Sequence, residues 1–392
     1  MKREKMNDYF YSPLLAKRNK KAKRFKFIAL LSLLTSIIFL LIFIADMIGK
    51  GHSAFRQTYV LVPVNITEKT KSYTHLAVDR KEYGFLVSRA WLRDLPNYIK
   101  QNPDVMDTFE KRWVLADDNV DQYFKGKYNT LNDKQKNVIE NMKKNNEIKL
   151  EFNSLFFTKG DSKIPEYAGF LASMVGSVMT MLITMFIAVP IGIMSAIYLE
   201  EFAKPSKFTD FIDININNLA AIPSILFGML GLAVFINFFG VPRSTPIAGG
   251  LVLALMSLPV IIVSSKAALK AVPDSIRQAG FGLGLTKWQI TRDHTLPLAM
   301  PTILTGSIIA LAQAMGETAP LIMIGMIAFI PDATFSFTQA TTVMPAQIFV
   351  WGGMPERIYI EKTAAGILVL LSVLIILNAL AIYLRKKYSV KW

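Results

Sequence analysis

Glu317 is the only charged residue in Leu298–Ile330. An ionised carboxylate in so apolar a stretch costs about 2.5–3.5 kcal/mol to place in a bilayer, so it must face a cavity, a partner or a counter-charge. It can accept a hydrogen bond from a protonated ligand, or serve as a structural ion pair at a helix interface. Thr318 and Pro320 stand beside it, and Pro223 and Ser224 interrupt a second apolar run. A broken helix at Ser224 would aim free backbone N–H groups at an anion, whereas a simple kink would bind nothing. Arg243, between Pro242 and Pro246, is either an attractor of anions or a solvated charge.

Covalent chemistry has no candidates. No GxxxxGK[ST] loop occurs, since Gly49-Lys50-Gly51 and Gly126-Lys127-Tyr128 lack both the spacing and the hydroxyl. HExxH and GxSxG are absent, and His52, His75 and His294 are scattered. Gly280-x-Gly282-x-Gly284 follows no strand and opens no βαβ unit, so it is no dinucleotide loop. Zero cysteine excludes a thiolate metal site and a cysteine nucleophile. The chain reads as a non-enzyme with no catalytic residue, no metal site and no cofactor of its own.

The elements that would position Glu317 and the two prolines are membrane helices. Of 392 residues 52% are hydrophobic and only 19% charged, against about a quarter charged in soluble domains. Phe27–Ile48 is long enough to cross a hydrocarbon core of ~30 Å. Its apolar core exceeds a signal peptide's and no small-x-small site follows, so it reads as a retained anchor. Further spans are predicted at Tyr167–Tyr198, Ile214–Phe239, Ile247–Ser265, Leu298–Ile330 and Thr363–Leu384, six in all. The two longest must tilt, break or extend, with Pro190-Ile191-Gly192 and Gly316–Pro320 the obvious places to bend.

Charge sets the orientation. Residues 1–26 form a basic tail of ten Lys/Arg against two acids, and residues 385–392 a second with four Lys/Arg and no acid. Loop 266–296 adds five Lys/Arg, while 240–246 holds only Arg243. Positive-inside counting places both termini and this loop in the cytoplasm, and accounts for most of the +15 without a nucleic acid. Residues 49–166 then lie outside the cell membrane. Their near-balanced charge and aromatic content predict a small folded α+β insert, with strands at Thr58–Ile66 and Leu150–Phe157 and an exposed helix at Leu131–Ile148.

Loop 266–296 carries two short helices. Asp274 is placed to cap the first, which Gly284 would end; Thr286 begins the second with Gln289 at the capping-box offset. Such a pair suits docking into a partner's groove, or lying on the membrane surface as a linker.

The loop resembles the coupling signature of ABC-importer permeases, Glu-Ala-Ala-x3-Gly-x9-Ile-x-Leu-Pro. Ala279, Gly284, Leu296 and Pro297 match it, while Gln278, Gly280 and His294 depart from Glu, Ala and Ile. The resemblance implies the type I importer permease fold of six transmembrane helices within residues 27–48 and 167–384. It also implies that loop 266–297 inserts into a separate ATPase subunit, with Gln278, Ala279, Gly280, Gly284, Leu296 and Pro297 as the coupling residues. The change to Gln278 removes the family's charge there.

Pro190-Ile-Gly-Ile-Met-Ser-Ala-Ile-Tyr-Leu-Glu-Glu-Phe202, Ala221-Ile-Pro-Ser-Ile-Leu-Phe-Gly228, Ala271-Val-Pro-Asp-Ser275 and Gly316-Glu-Thr-Ala-Pro320 narrow the likeness to the PstA family of phosphate-importer permeases, across 167–392. That family implies a bacterial inner-membrane location, a second related permease (PstC-like), two ATPase subunits (PstB-like) that use ATP and Mg, and an extracytoplasmic phosphate-binding protein. Membrane lipid is the remaining partner. The insert has no counterpart in the family's short form. Pathway candidates are Glu317, Thr318, Pro320, Pro223 and Ser224. An ionised Glu317 would accept a hydrogen bond from the P–OH that hydrogen phosphate carries and sulfate lacks, given a nearby cation from this chain or a partner. The alternatives are a permease for molybdate, tungstate or sulfate, whose relatives follow Gly-Glu with Phe-Gly-Ala, or a membrane-anchored sensor or scaffold built on the insert.

Overall fold

The computed structural model describes residues 13–388; the expectations for the outer parts of the two basic tails lie outside them. The chain divides into two compact units, Met1–Lys50 and Gly51–Trp392. The described residues of the first form one helix, α1 (Pro13–Gly51). At 1.5 Å per residue its 39 residues reach roughly 60 Å, about twice a hydrocarbon core. None of its most apolar window is buried. Lys17 through Lys26 continue the same helix as an exposed basic extension.

In the second unit the insert is built on a three-stranded antiparallel sheet, β1 (Arg56–Ile66), β2 (Thr108–Leu115) and β3 (Ile148–Phe152), in the order β2-β1-β3. Alternation in β1 turns Val60, Val62, Val64 and Ile66 to one face, where all four are completely buried. They pack against Leu95 and Ile99 of α2 (Arg89–Gln101), Val120 of α3 (Asp118–Phe124) and Ile139 of α4 (Asp133–Lys144). Each such side chain contributes about 1.5–3 kcal/mol of burial. Pro63 is tolerated in the middle strand because β3 pairs only with Arg56–Val60, so its missing N–H breaks no bond to β3. The predicted strand at Leu150–Phe157 stops at Phe152. There the Asn153 side chain accepts from the Phe156 N–H and starts a helical turn, Ser154–Thr158.

Buried charge fastens the insert to the last membrane helix. Glu361 accepts hydrogen bonds from Ser53 Oγ at 2.8 Å and Gln122 Nε2 at 2.7 Å, and pairs with Lys127 at 2.8 Å. Lys125 bridges to Asp121 at 2.6 Å, and Asp121 also accepts from the backbone N–H and hydroxyl of Thr58. Removing one member of such a buried set leaves an uncompensated charge, which costs about 3–5 kcal/mol.

Five helices are long and apolar enough to cross a membrane, and a bent pair makes up to six, among the described residues. After α1 come α5 (Leu171–Ile197), α8 (Pro246–Lys270), α10 (Lys287–Gly316) and α13 (Ile358–Tyr388). The predicted span Ile214–Phe239 is not one helix. It divides into α6 (Lys207–Ala220) and α7 (Ser224–Leu230, continued in π geometry to Phe238), bent by 104°. α6 buries none of its residues and carries Asp210, Asp213, Asn215, Asn217 and Asn218, too polar for a lipid-facing core. No break occurs at Pro190: α5 runs through it, and its last turn, Tyr198–Phe202, opens into a π-helix. The break expected at Gly316–Pro320 is present, with α10 ending at Gly316 and α11 (Ala319–Met323) beginning after an extended Glu317. α12 (Met344–Gly352) precedes α13. The small faces of α5 and α8 let their backbones approach: a Cβ on Gly192 would lie 2.6 Å from Ile261, and one on Gly250 2.5 Å from Ile183.

Within the insert, burial and the adjoining Asp117 carboxylate push Asp118 up to about 7, and burial raises Asp117 as well. A raised folded-state pKa supplies stability that is full below the ordinary carboxylate range and is lost as pH rises through about 7. Asp118→Asn is expected to remove that loss. Between pH 5 and 8 the unfolding temperature of the purified protein, followed by a probe in the insert, should fall less in the variant than in the wild type. Parallel declines would show that Asp118 is not the titrating group.

Candidate functional site

Both broken spans converge on one seam. Pro223 stands at the N-cap position of α7 with φ −54° and ψ 133°, and Ser224 opens that helix. Thr318 stands at the same position of α11, with Pro320 in its first turn. A proline there forfeits no helical hydrogen bond, because the first N–H groups have no partner within the helix. The two short helices then pack so closely that a Cβ on Gly228 would lie 2.7 Å from Pro320 Cα and 2.9 Å from Met323 Cβ. Gly231 meets Val252 of α8 more closely still. Gly228 and Gly231 are thus packing surfaces.

Glu317 lies in the break, half-buried, its backbone N–H bonded to Ala314 O at 3.2 Å. Among the described residues no hydrogen bond or ion pair reaches its carboxylate. Pro223 is exposed, Ser224 and Thr318 half-buried and Pro320 buried. The return from α11 is secured at Gly325, with φ +91°, whose carbonyl accepts from Ser244 Oγ at 2.7 Å. Arg243, next to that serine, is exposed.

The second candidate surface is the loop after α8. α9 (Asp274–Gly282) ends in a turn at Gly284, with φ +79°, and Thr286 caps the start of α10 in a reciprocal box with Gln289. Asp274 does not cap α9. Pro273 occupies the cap position, and the Asp274 carboxylate instead accepts from Arg277 Nη1 at 3.1 Å. Gly280 is buried against Ile290, which a Cβ would approach to 2.6 Å. Gln278, Ala279 and Gly284 are exposed, and so are Phe281 at 53%, Leu283 at 81% and Trp288 at 56%. Three large apolar side chains together on one loop form a surface suited to burial by a partner. Leu296 and Pro297 are not at a helix start. They continue α10 after a π-helical turn, Thr291–Thr295, which accommodates the proline's missing N–H.

Two ion pairs at this end had no signal in the sequence beyond their charge. Arg277 of α9 bonds Glu201, at the end of α5, through Nη2 at 2.7 Å and Nε at 3.3 Å. Lys266 of α8 reaches both carboxylate oxygens of Asp213 on α6, at 2.6 and 2.7 Å. No group of His, Cys, Asp or Glu suited to a metal ion occurs among the described residues.

A family model described as a binding-protein-dependent transport system inner membrane component matches residues 188–390, which hold both the seam and the loop. The chain belongs to this family. A second model, a domain of unknown function (DUF3333), matches residues 13–79 and 67–133, the first helix and most of the insert. The chain is 35% identical over 167 residues to a probable ABC transporter permease protein YqgI of Bacillus subtilis, covering 43% of this chain and 56% of that one. It is 30% identical over 224 residues to the phosphate transport system permease protein PstA of Yersinia pestis, covering 56% and 74%. Similarity to PstC of Haemophilus influenzae is 30% over 244 residues, covering 56% and 77%. The chain spans little more than half the length of the first of these relatives. Among solved structures, an inward-facing MetNI methionine ABC transporter aligns with a TM-score of 0.45 and 16% identity, over 55% of this chain and 95% of that one. The fold is that of a polytopic, helical ABC-importer permease.

Gly228→Val is expected to drive apart the two short helices, an overpacking that costs about 1–3 kcal/mol. The unfolding temperature of the detergent-purified protein should drop by several degrees. Gly282→Ala, whose Cβ meets nothing within 4 Å, should leave it unchanged.

Proposed function

We propose that this chain is one permease half of an ATP-driven importer of inorganic phosphate. The seam is its substrate path and the α9 loop the docking surface for ATPase subunits. In this reading both termini and the loop are cytoplasmic and the insert extracytoplasmic. A second, PstC-like permease completes the pore, two PstB-like subunits hydrolyse ATP with Mg, and an extracytoplasmic binding protein delivers phosphate. This chain itself carries no catalytic residue. ATP-driven closure of the cytoplasmic subunits tilts the bundle between outward- and inward-open states.

The observation that carries the reading is Glu317. It stands in an extended break of an apolar helix, with no counter-charge among the described residues. Such a carboxylate is available to a ligand or to the facing permease, and it can accept a hydrogen bond from a protonated oxyanion. A cation to offset anion–anion repulsion would come from the facing permease. Relatives named as phosphate transport permeases favour phosphate as that oxyanion.

Uptake into vesicles containing the whole complex tests the cargo, with phosphate set against arsenate, sulfate and molybdate. Glu317→Gln is expected to lower phosphate uptake roughly ten- to hundred-fold, the range of a lost charged hydrogen bond, and to weaken discrimination against sulfate. Unchanged uptake with unchanged discrimination would exclude the proton-sensing role. Gly284→Val places a β-branched residue at φ +79°, at a cost of about 1–2 kcal/mol, and reshapes the docking turn. ATPase subunits that co-purify with the wild type should be lost from this variant.

A further inference from the structure

α9 is held to the membrane helices by contacts of two kinds. One is apolar: Gly280 lies against Ile290, and Ile276 packs against the buried cluster that includes Ala196 of α5, Leu269 of α8 and Ile303 of α10. The other is the Arg277 guanidinium, which has five N–H donors and uses all of them. Nε and one Nη2 hydrogen hold Glu201, while the other Nη2 hydrogen goes to Leu269 O at 2.9 Å. Nη1 donates to Val272 O at 2.8 Å and to Asp274 at 3.1 Å.

These partners belong to three elements. Leu269 and Val272 lie at the C-terminal end of α8, where carbonyls lack intrahelical donors and the helix dipole favours a cation. Glu201 lies in the π-helical turn that ends α5 and is only 5% exposed. A planar, bidentate fork fixes angle as well as distance, which an ammonium cannot do. Beyond the fork, Lys266 joins α8 to Asp213 of α6, the helix that leads into the 104° bend before Ser224.

We propose that Arg277 is the positioning residue that makes the docking helix α9 and the ends of α5 and α8 a single lever. Displacement of α9 is thereby transmitted to those two spans rather than absorbed in the loop. The inference rests on the reading of the loop as an ATPase docking surface, and it assigns docking and transmission to different residues. The exposed apolar side chains and the Gly280–Ile290 contact keep α9 docked, and Arg277 with Glu201 carries the movement.

The test uses the complete complex in proteoliposomes, with three readouts: ATPase subunits retained, ATP hydrolysed and phosphate moved per ATP. For Arg277→Met, the subunits should be retained, hydrolysis should stay within about twofold of the wild type, and phosphate moved per ATP should fall at least roughly tenfold. Arg277→Lys keeps the charge but not the fork, so it should fall between the two. Glu201→Gln keeps one acceptor oxygen for the guanidinium but neither the negative charge nor the second acceptor, and should lower the ratio by roughly two- to fivefold. A wild-type ratio in an assembled Arg277→Met complex overturns the proposal. So does loss of the ATPase subunits from it, which would make Arg277 a docking residue. If Arg277→Met fails to accumulate, an unchanged ratio in Glu201→Gln overturns the proposal and a lowered one upholds it. A wild-type complex that neither binds ATPase subunits nor moves phosphate would instead refute the functional reading on which the inference rests.

Discussion

A backbone surrounded by apolar material must satisfy its own N–H and C=O groups, and this chain breaks two apolar runs within that constraint. The breaks are possible because the chain returns to helix within a few residues of each, and because the new helices shelter each other. Gly228 makes the shelter close enough, bringing α7 onto Pro320 at a distance no side chain would permit. The loops around the seam are closed by side-chain hydroxyls, Ser244 onto Gly325 O and Thr342 onto Met326 O. Irregular backbone is confined to places where another part of the protein completes it, and Glu317 stands in one of them.

The same economy of partners governs the charged residues. Few lie among the membrane helices, and those at their ends are mostly engaged. Arg277 spends every donor, Lys266 grips Asp213 through both carboxylate oxygens, and Glu361 gathers Ser53, Gln122, Lys125 and Lys127 at the foot of the insert. Where such pairs are buried, as at Glu361 and Lys125, they add little net stability over an apolar replacement but tolerate no missing member. They fix relative position. One network sets the insert on the end of α13, and the other sets α9 on α5 and α8. Glu317 has no such partner among the described residues, and unlike Glu200, which also lacks one but lies at the end of α5, it stands in the break of an apolar run.

Much of the architecture was legible in the residues. Apolar blocks of sufficient length marked the helices that span a bilayer, period-two alternation marked β1, and Thr286 with Gln289 marked a helix start. The failures share a cause. Ile214–Phe239 looked continuous because a hydropathy average passes over the polar residues of α6, and only the fold shows a right-angled turn before Ser224. Pro190 was expected to be a place where α5 bends or breaks, yet the helix continues through it without a break. Asp274 had the identity of a cap and not the position, because Pro273 stands at the cap and Asp274 is the first helical residue. Arg277 and Glu201 were each visible only as charge.

The sequence by itself determined which segments are apolar enough to leave water, where the chain can turn and which residues carry charge into an apolar stretch. Those are properties of one residue or one short window, because hydrophobic burial is non-directional and backbone preference is local. Only the tertiary structure decided where the two broken spans meet and which partner each charge finds. Glu201 and Arg277 are 76 residues apart in sequence and 2.7 Å apart in space. Ion pairing and close packing depend on distances that no local window contains. Glu317, apparent at once as an isolated carboxylate, became a candidate site only when the fold placed it in a break without a counter-charge among the described residues.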